Sequence, residues 1–326
     1  MTNIPRTLAR ALFACGALLA VVHAHAQAWP TKTVRIISVF PPGGSVDQVS
    51  RIFAAKLTEQ TGQQFLVENR GGASGSIGTQ AVAAAAPDGY TFGVVFDTHA
   101  VNPLLIPHMA FDTLKDLAPV MLVGTSPMAI VTQVGQPYKD FRDVIAAARA
   151  KPGSVAIGSI GTGSLGHLAI AQIAKAQHVE LTHVPYRGGG PLMTDALGGQ
   201  VPVAIGSVFL VNPQVKGGKL KALAVTSAKP SPQMPGVQPV ADQGMPGFAA
   251  LSWWGVIAPA QTPQPVIRRM YEELSRALKD PRVAQQLSDQ GIEIVGGGPE
   301  ELDKWVRGEM EKWAVVVKEN GIKAGD

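Results

Sequence analysis

The segment Gly161-Thr162-Gly163-Ser164-Leu165-Gly166 has the spacing G-x-G-x-x-G. Between a strand and a helix, such a loop holds an anion on backbone N–H groups. Glycines admit positive φ and close approach, and a helix start offers unpaired donors at the positive end of its dipole. Three more loops share the design: Pro41–Asp47, Gly71–Thr79, and Gly188-Gly189-Gly190-Pro191, the last with proline expected at the first helical position. A single loop of this kind reads as a tight βα turn. Four aimed at one cleft would make a site for an anion with one or two carboxylates. Ser45 with Gln48 also fits a capping box, a purely structural role.

The same spacing is the fingerprint of a dinucleotide cradle, so an exported oxidoreductase is the alternative reading. Its context is incomplete. Glu180 lies 17 residues after Gly163, but it precedes the strand "LTHVPY" where a ribose-binding acid would end it. The loop also lies in a second α/β unit, not at the start of the chain.

Other chemistry is sparse. No serine lies in G-x-S-x-G, and H-E-x-x-H and Asp-rich calcium loops are absent. His99, His108, His167, His178 and His183 are scattered without metal-ligand spacing. Neither a catalytic set nor a metal set is expected, and no cofactor. His167, on the helix after the glycine loop, reads as a histidine with one structural hydrogen bond. Asp47 and Asp97 form an acid/base pair only if the fold unites them. Trp253, Trp254, Trp305 and Trp313 read as core or hinge packing, with Tyr90 and the Trp253-Trp254 pair as the other choice for a cleft floor.

The elements that must carry these loops alternate. "TVRIISVF", "QFLVEN" and "TFGVVF" read as strands. Helices follow at "VDQVSRIFAAKLTEQTG" and "TQAVAAAA", and Pro87-Asp88-Gly89 makes a turn. The pattern restarts near residue 128 with strands "MAIVTQ", "SVAIGS", "LTHVPY", "VPVAIGSV" and "LKALAVTS". Helices lie between them at "FRDVIAAARA", "LGHLAIAQIAKA" and "PLMTDALGG". Such alternation implies parallel sheets covered by helices on both faces. Residues 228–248 are rich in proline and glycine and read as a wrapping connection. Two helices close the chain.

The chain has 326 residues, which suggests two domains of ordinary size. Hydrophobic residues make up 46% and charged ones 16%, enough for a packed core and too apolar for a disordered chain. A net charge of +4 without a basic stripe gives no case for nucleic acid. Arg6 and Arg10, the apolar run 11–22 and Ala24-His25-Ala26 have the order of a signal peptide cleaved after Ala26. Cleavage would remove the lone cysteine and lower the net charge to +2, leaving no disulfide and no thiol.

Together these motifs resemble the Bug-type extracytoplasmic solute receptors, the substrate-binding components of tripartite tricarboxylate transport systems. The resemblance is carried by "WPTKTVRIISVFPPGGSVD", "VENRGGASGSIGTQAVAAAAPDGYT", "THAVNPLL", "DLAPV", "GTGSLGHLA", "THVPYRGGGPLMTDALGGQV", "LKALAVTSAKPSPQMPGV" and "GVIAPAQTP", in family order. It implies a type II periplasmic-binding-protein fold: two doubly wound α/β domains joined by crossover strands, with a ligand cleft between them. Residues 27–127 with 226–326 would form one domain and 128–225 the other. The ligand would be held by Pro42, Gly43, Gly44, Ser45 and Asp47; by Ser74, Gly75 and Ser76; and by Thr98 and His99. Across the cleft stand Thr162, Gly163, Ser164, His167, Tyr186, Gly188 and Ser207. Where many members carry an acid after "GGQV", this chain has Gly206 and Ser207, which argues against an amino-acid ligand. The implied protein is a periplasmic monomer that captures a mono- or dicarboxylate and delivers it to a membrane permease. A receptor that signals to a membrane sensor fits equally.

Overall fold

A computed structural model describes residues 29–323. The expected signal peptide, residues 1–26 with its cleavage site, lies outside the described residues. Elements follow in the order β1 (Val34–Ser38), α1 (Ser45–Thr61), β2 (Phe65–Asn69), α2 (Ser76–Ala83), β3 (Thr91–Val95) and α3 (Thr98–Leu105). Then come β4 (Leu117–Gln133), α4 (Phe141–Ala150), β5 (Ala156–Ser159), α5 (Leu165–Gln177), β6 (Thr182–Pro185), α6 (Gly189–Leu197) and β7 (Val203–Ser207). The chain continues through α7 (Val208–Lys216), β8 (Leu220–Val225), β9 (Leu251–Pro259), α8 (Gln264–Lys279), α9 (Pro281–Asp289), β10 (Glu293–Gly297) and α10 (Pro299–Asn320).

The predicted parallel sheets form in part. β1 pairs in parallel with β2 and β3, and β5 pairs in parallel with β6 and β7. The centre is antiparallel: β9 lies between β3 and β4 and runs against both. β4, which sequence patterning showed only from residue 128, is a 17-residue strand from Leu117 to Gln133. Up to Pro127 it pairs with β9, and from Met128 onward it pairs with β7 and β8. One strand therefore serves two half-sheets, and this is why the repeat of βα units is interrupted there. No helix among the described residues is long and apolar enough to cross a membrane.

Three chain crossings meet at Thr226. Its Oγ1 accepts from Met128 N–H at 2.8 Å and donates to the Ala250 carbonyl at 2.6 Å. Ser252 Oγ donates to the Ser126 carbonyl at 2.9 Å just beside it. Trp253, Trp254 and Trp313 are fully buried, as core packing requires. Trp254 packs on Phe96 of the first half and on Phe209 of α7. Tyr90 lies before β3, beside Trp29 and hydrogen-bonded to Thr31. It therefore sits at the opposite end of β3 from the glycine loops and is no part of a cleft floor.

Candidate functional site

The loop after β1 is built by an acid. Asp47, only 4% exposed, accepts from Gly43 N–H at 3.0 Å and from Asn69 Nδ2 at 2.8 Å, and pairs with Arg51 at 3.0 Å. Burial raises its pKa, but the Arg51 guanidinium, the Gly43 N–H and Asn69 outweigh it and hold it below the ordinary carboxylate value. The carboxylate is thus spent on shaping the loop. The expected capping box is absent: Gly44 caps α1 without a side-chain hydrogen bond, and Gln48 Nε2 instead donates to the Gly43 carbonyl at 3.3 Å. Pro42 and Gly43 are exposed on the loop, whereas Gly44 and Ser45 are buried at the helix start.

The loop after β2 reaches across to the second half. Ser74 adopts a left-handed conformation (φ 52°, ψ 38°) and donates from Oγ to the Thr162 carbonyl at 2.6 Å. Asn102 of α3 holds the same turn, donating from Nδ2 to the Ser74 carbonyl at 3.0 Å. Gly75 is the N-cap of α2 and Ser76 its first residue.

Asp97, Thr98 and His99 stand at the start of α3, all buried. Asp97 Oδ1 accepts from Leu165 N–H of the second half at 3.3 Å. His99 lies edge-on to Trp253, and burial pushes its pKa down to about 4, so it is a neutral imidazole. Asp47 and Asp97 engage different partners and form no acid/base pair.

The glycine fingerprint sits between β5 and α5, the expected strand–loop–helix context. Gly161 (φ 143°) and Gly163 (φ 76°) need the freedom only glycine has. Its donors are committed within the protein. Leu165 N–H goes to Asp97, His167 N–H to Ser164 Oγ at 3.3 Å, and Gly163 N–H to His167 Nδ1 at 3.1 Å. A Cβ on Gly163 would lie 2.7 Å from Leu105, and one on Gly161 3.0 Å from Ser74 Oγ. The first half thus fills the space where a pyrophosphate would sit. His167 stacks on His183, with centroids 4.0 Å apart at 7°, and His183 Nε2 is 2.7 Å from Ser159 Oγ.

In the last loop, α6 starts at Gly189 with Gly188 as cap, two residues earlier than Pro191 suggested. Tyr186 does not offer its hydroxyl to the cleft. It donates to Asp195 at 2.9 Å, and burial, with that carboxylate beside it, pushes its pKa up to about 12. Ser207 caps α7, accepting from Leu210 N–H at 3.3 Å.

The structure thus brings the four loops together and makes two of them meet head-on. A Cβ on Gly190 would lie 2.6 Å from the Pro42 carbonyl, and one on Gly189 3.3 Å from Gly44 Cα. The starts of α1 and α6 touch each other, and neither has a side-chain cap. Sequence reasoning missed Asn69 and Asp195, while Asn102 and Ser159 fall within the segments 97–102 and 158–167 that it singled out. Asn69 ends β2 at its carboxyl edge, the usual place for a site residue in an α/β sheet, and that signal was legible. Among the described residues no group of three or more His, Cys, Asp or Glu is arranged to hold a metal ion.

The family model described as "Tripartite tricarboxylate transporter family receptor" matches residues 49–322. A Pseudomonas sp. (strain P51) protein of the tcbD-tcbE intergenic region is 37% identical, over 91% of this chain and 89% of its own. Protein BugT of Bordetella pertussis is 34% identical, over 91% of this chain and 92% of its own. Among solved structures, periplasmic binding protein BugD is 30% identical with TM-score 0.87, covering 91% of this chain and 100% of its own. A R. palustris protein solved with adipate is 33% identical with TM-score 0.87, covering 91% of this chain and 99% of its own. MatC from Rhodopseudomonas palustris, solved with malate, is 29% identical with TM-score 0.84, covering 89% and 100%.

Proposed function

Because this chain belongs to the tripartite tricarboxylate transporter receptor family, we propose that it captures a small organic dicarboxylate between its two lobes in the periplasm and presents it to a membrane permease. The lobes in this reading are residues 27–127 with 226–326, and residues 128–225. The observation that carries it is the pair of uncapped helix starts, α1 at Gly44 and α6 at Gly188, opposed across the lobes. Two positive helix ends held this near repel one another. The two starts touch in this structure, so an anion enters when the lobes part; held at both starts it removes the repulsion and gains about 0.3–1 kcal/mol from each dipole, more when water is excluded. The backbone N–H groups of Gly44, Ser45, Gly189 and Gly190 are the donors for one carboxylate, neutral groups doing the work of cations, while Gly43 N–H is held by Asp47 and Gly188 N–H by the Ile160 carbonyl. Ser76, Thr98 and His99 stand at neighbouring helix starts and are the candidates for the other end of the ligand once the lobes part. Adipate and malate on two solved members are dicarboxylates, which is the class such paired donors suit.

A thermal-shift screen of mono-, di- and tricarboxylates, aromatic acids, amino acids and NAD tests this. A bound ligand at 100 times its dissociation constant adds about 2.7 kcal/mol of stability. A shift with dicarboxylates is expected. A shift with NAD alone would replace the receptor reading by the dinucleotide one.

A further inference from the structure

Asp97 belongs to the first lobe and Leu165 to the second, and the 3.3 Å hydrogen bond from Leu165 N–H to Asp97 Oδ1 joins them at the first turn of the 13-residue α5. Asp97 is 1% exposed, and its Oδ2 is buried without a hydrogen-bond partner. The start of α5 is therefore already occupied by a carboxyl group, and that group is the protein's own. We propose that Asp97 is the latch of the closed form, and that the lobes close by taking a proton from solvent onto its carboxyl group and release it on parting. This rests on the lobe-closure reading above.

The physical reason is the orphaned Oδ2. A buried carboxylate needs several donors, and Asp97 receives only the N–H groups of Leu165 and Thr98. A neutral acid in the same place costs far less desolvation energy. Burial, with Glu309 of α10 adding its charge, pushes the carboxyl up to about 8 against the pull of those two N–H groups. The ionisable groups on the elements around it do not neutralise it. Glu309 is an acid that accepts from Trp313 Nε1 at 2.7 Å and lies 3.6 Å from Lys312. His99, on the same helix as Asp97, is neutral, and His167 of α5 accepts from Gly163 N–H.

Parting the lobes exposes Asp97 to water, where an aspartate returns to about 3.9. Between that value and about 8 the closed form holds a proton that the open form does not. Closure is therefore favoured at the acid end of the window and weakens as pH rises through it. The closed-to-open ratio falls by up to about tenfold per pH unit. The bond to Leu165 survives protonation, because the carbonyl oxygen of the neutral acid still accepts.

The test needs no ligand. Infrared titration of the purified protein from about pH 5 to about pH 9 reads the protonated carboxyl band, and X-ray scattering over the same range reads lobe separation. Expected is a protonated band near neutral pH that disappears toward pH 8–9, together with expansion of the protein. In Asp97→Asn, which keeps the acceptor for Leu165 without a titrating group, the band and the expansion should both be missing. Should that variant not fold, Asp97→Ser serves the same purpose. A protein whose spectrum matches that of the asparagine variant at every pH overturns the proposal. So does expansion that is absent, or identical in wild type and variant. Neither readout contains a carboxylate ligand, so a negative thermal-shift screen would sink the ligand reading while leaving this result standing.

Discussion

Ser74 Oγ donates to the Thr162 carbonyl at 2.6 Å, from the loop after β2 to the loop after β5, and it does so from a left-handed backbone conformation that few serines adopt. Two glycine-rich loops read separately in the sequence are thereby one contact. Ser74 thereby ties the fingerprint loop to its opposite number.

Ser74→Ala should remove that contact while keeping the backbone strain. Dicarboxylate affinity is expected to weaken by about 0.5–1.5 kcal/mol, roughly two- to twelvefold, in titration calorimetry. Ser74→Gly relieves the strain and should melt no lower than the alanine variant. An unchanged affinity in both would show that the bond does not contribute to closure.

Gly190→Ala places a methyl group 2.6 Å from the Pro42 carbonyl of the other lobe. Gly190 lies inside α6 and is not in the left-handed region, so its own lobe should fold normally. The expected outcome is a ligand-free melting temperature close to wild type and a ligand-induced shift that is lost. Retained binding would mean that the two loops need not meet.

Asp47 is held below the ordinary carboxylate value, so its stabilising effect is present above about pH 4 and is lost as pH falls through its folded value. Asp47→Asn should cost about 1–3 kcal/mol at pH 7, because Gly43 N–H and Arg51 lose a charged acceptor. Denaturation in urea at about pH 7 and about pH 3 checks both statements: the gap between wild type and variant should close at the acid pH.

Tyr186 is bonded to Asp195, not aimed at a ligand. Tyr186→Phe should cost about 1 kcal/mol of stability and leave dicarboxylate affinity within twofold. Spectrophotometric titration should find one tyrosine ionising near 12 in the wild type and missing from the variant. A large loss of affinity would return Tyr186 to the ligand.

The elements with a strong period were legible. "FRDVIAAARA" is α4 residue for residue, and "PEELDKWVRGEMEKWAVVVKEN" is α10. β4 was legible only in its second half, because Pro119, Gly124 and Pro127 break the pattern of a strand that is nevertheless paired along both edges. β9 was not recognised, although its partners on both sides bury it along nearly its whole length. Short apolar runs of this kind have no period of their own, and burial by neighbours decides them.

Local sequence alone was enough to place the four glycine loops between strands and helices. Backbone donors and glycine freedom are local properties, so local sequence suffices. Which loop keeps its donors for a ligand was decided only by tertiary structure. Asp97 lies 68 residues from Leu165, yet its carboxyl group meets the α5 start. A helix N-terminus binds whichever anion the fold brings to it. For G-x-G-x-x-G here the chain's own Asp97 carboxyl group takes the α5 start, whereas α1, α2 and α6 begin without a side-chain cap.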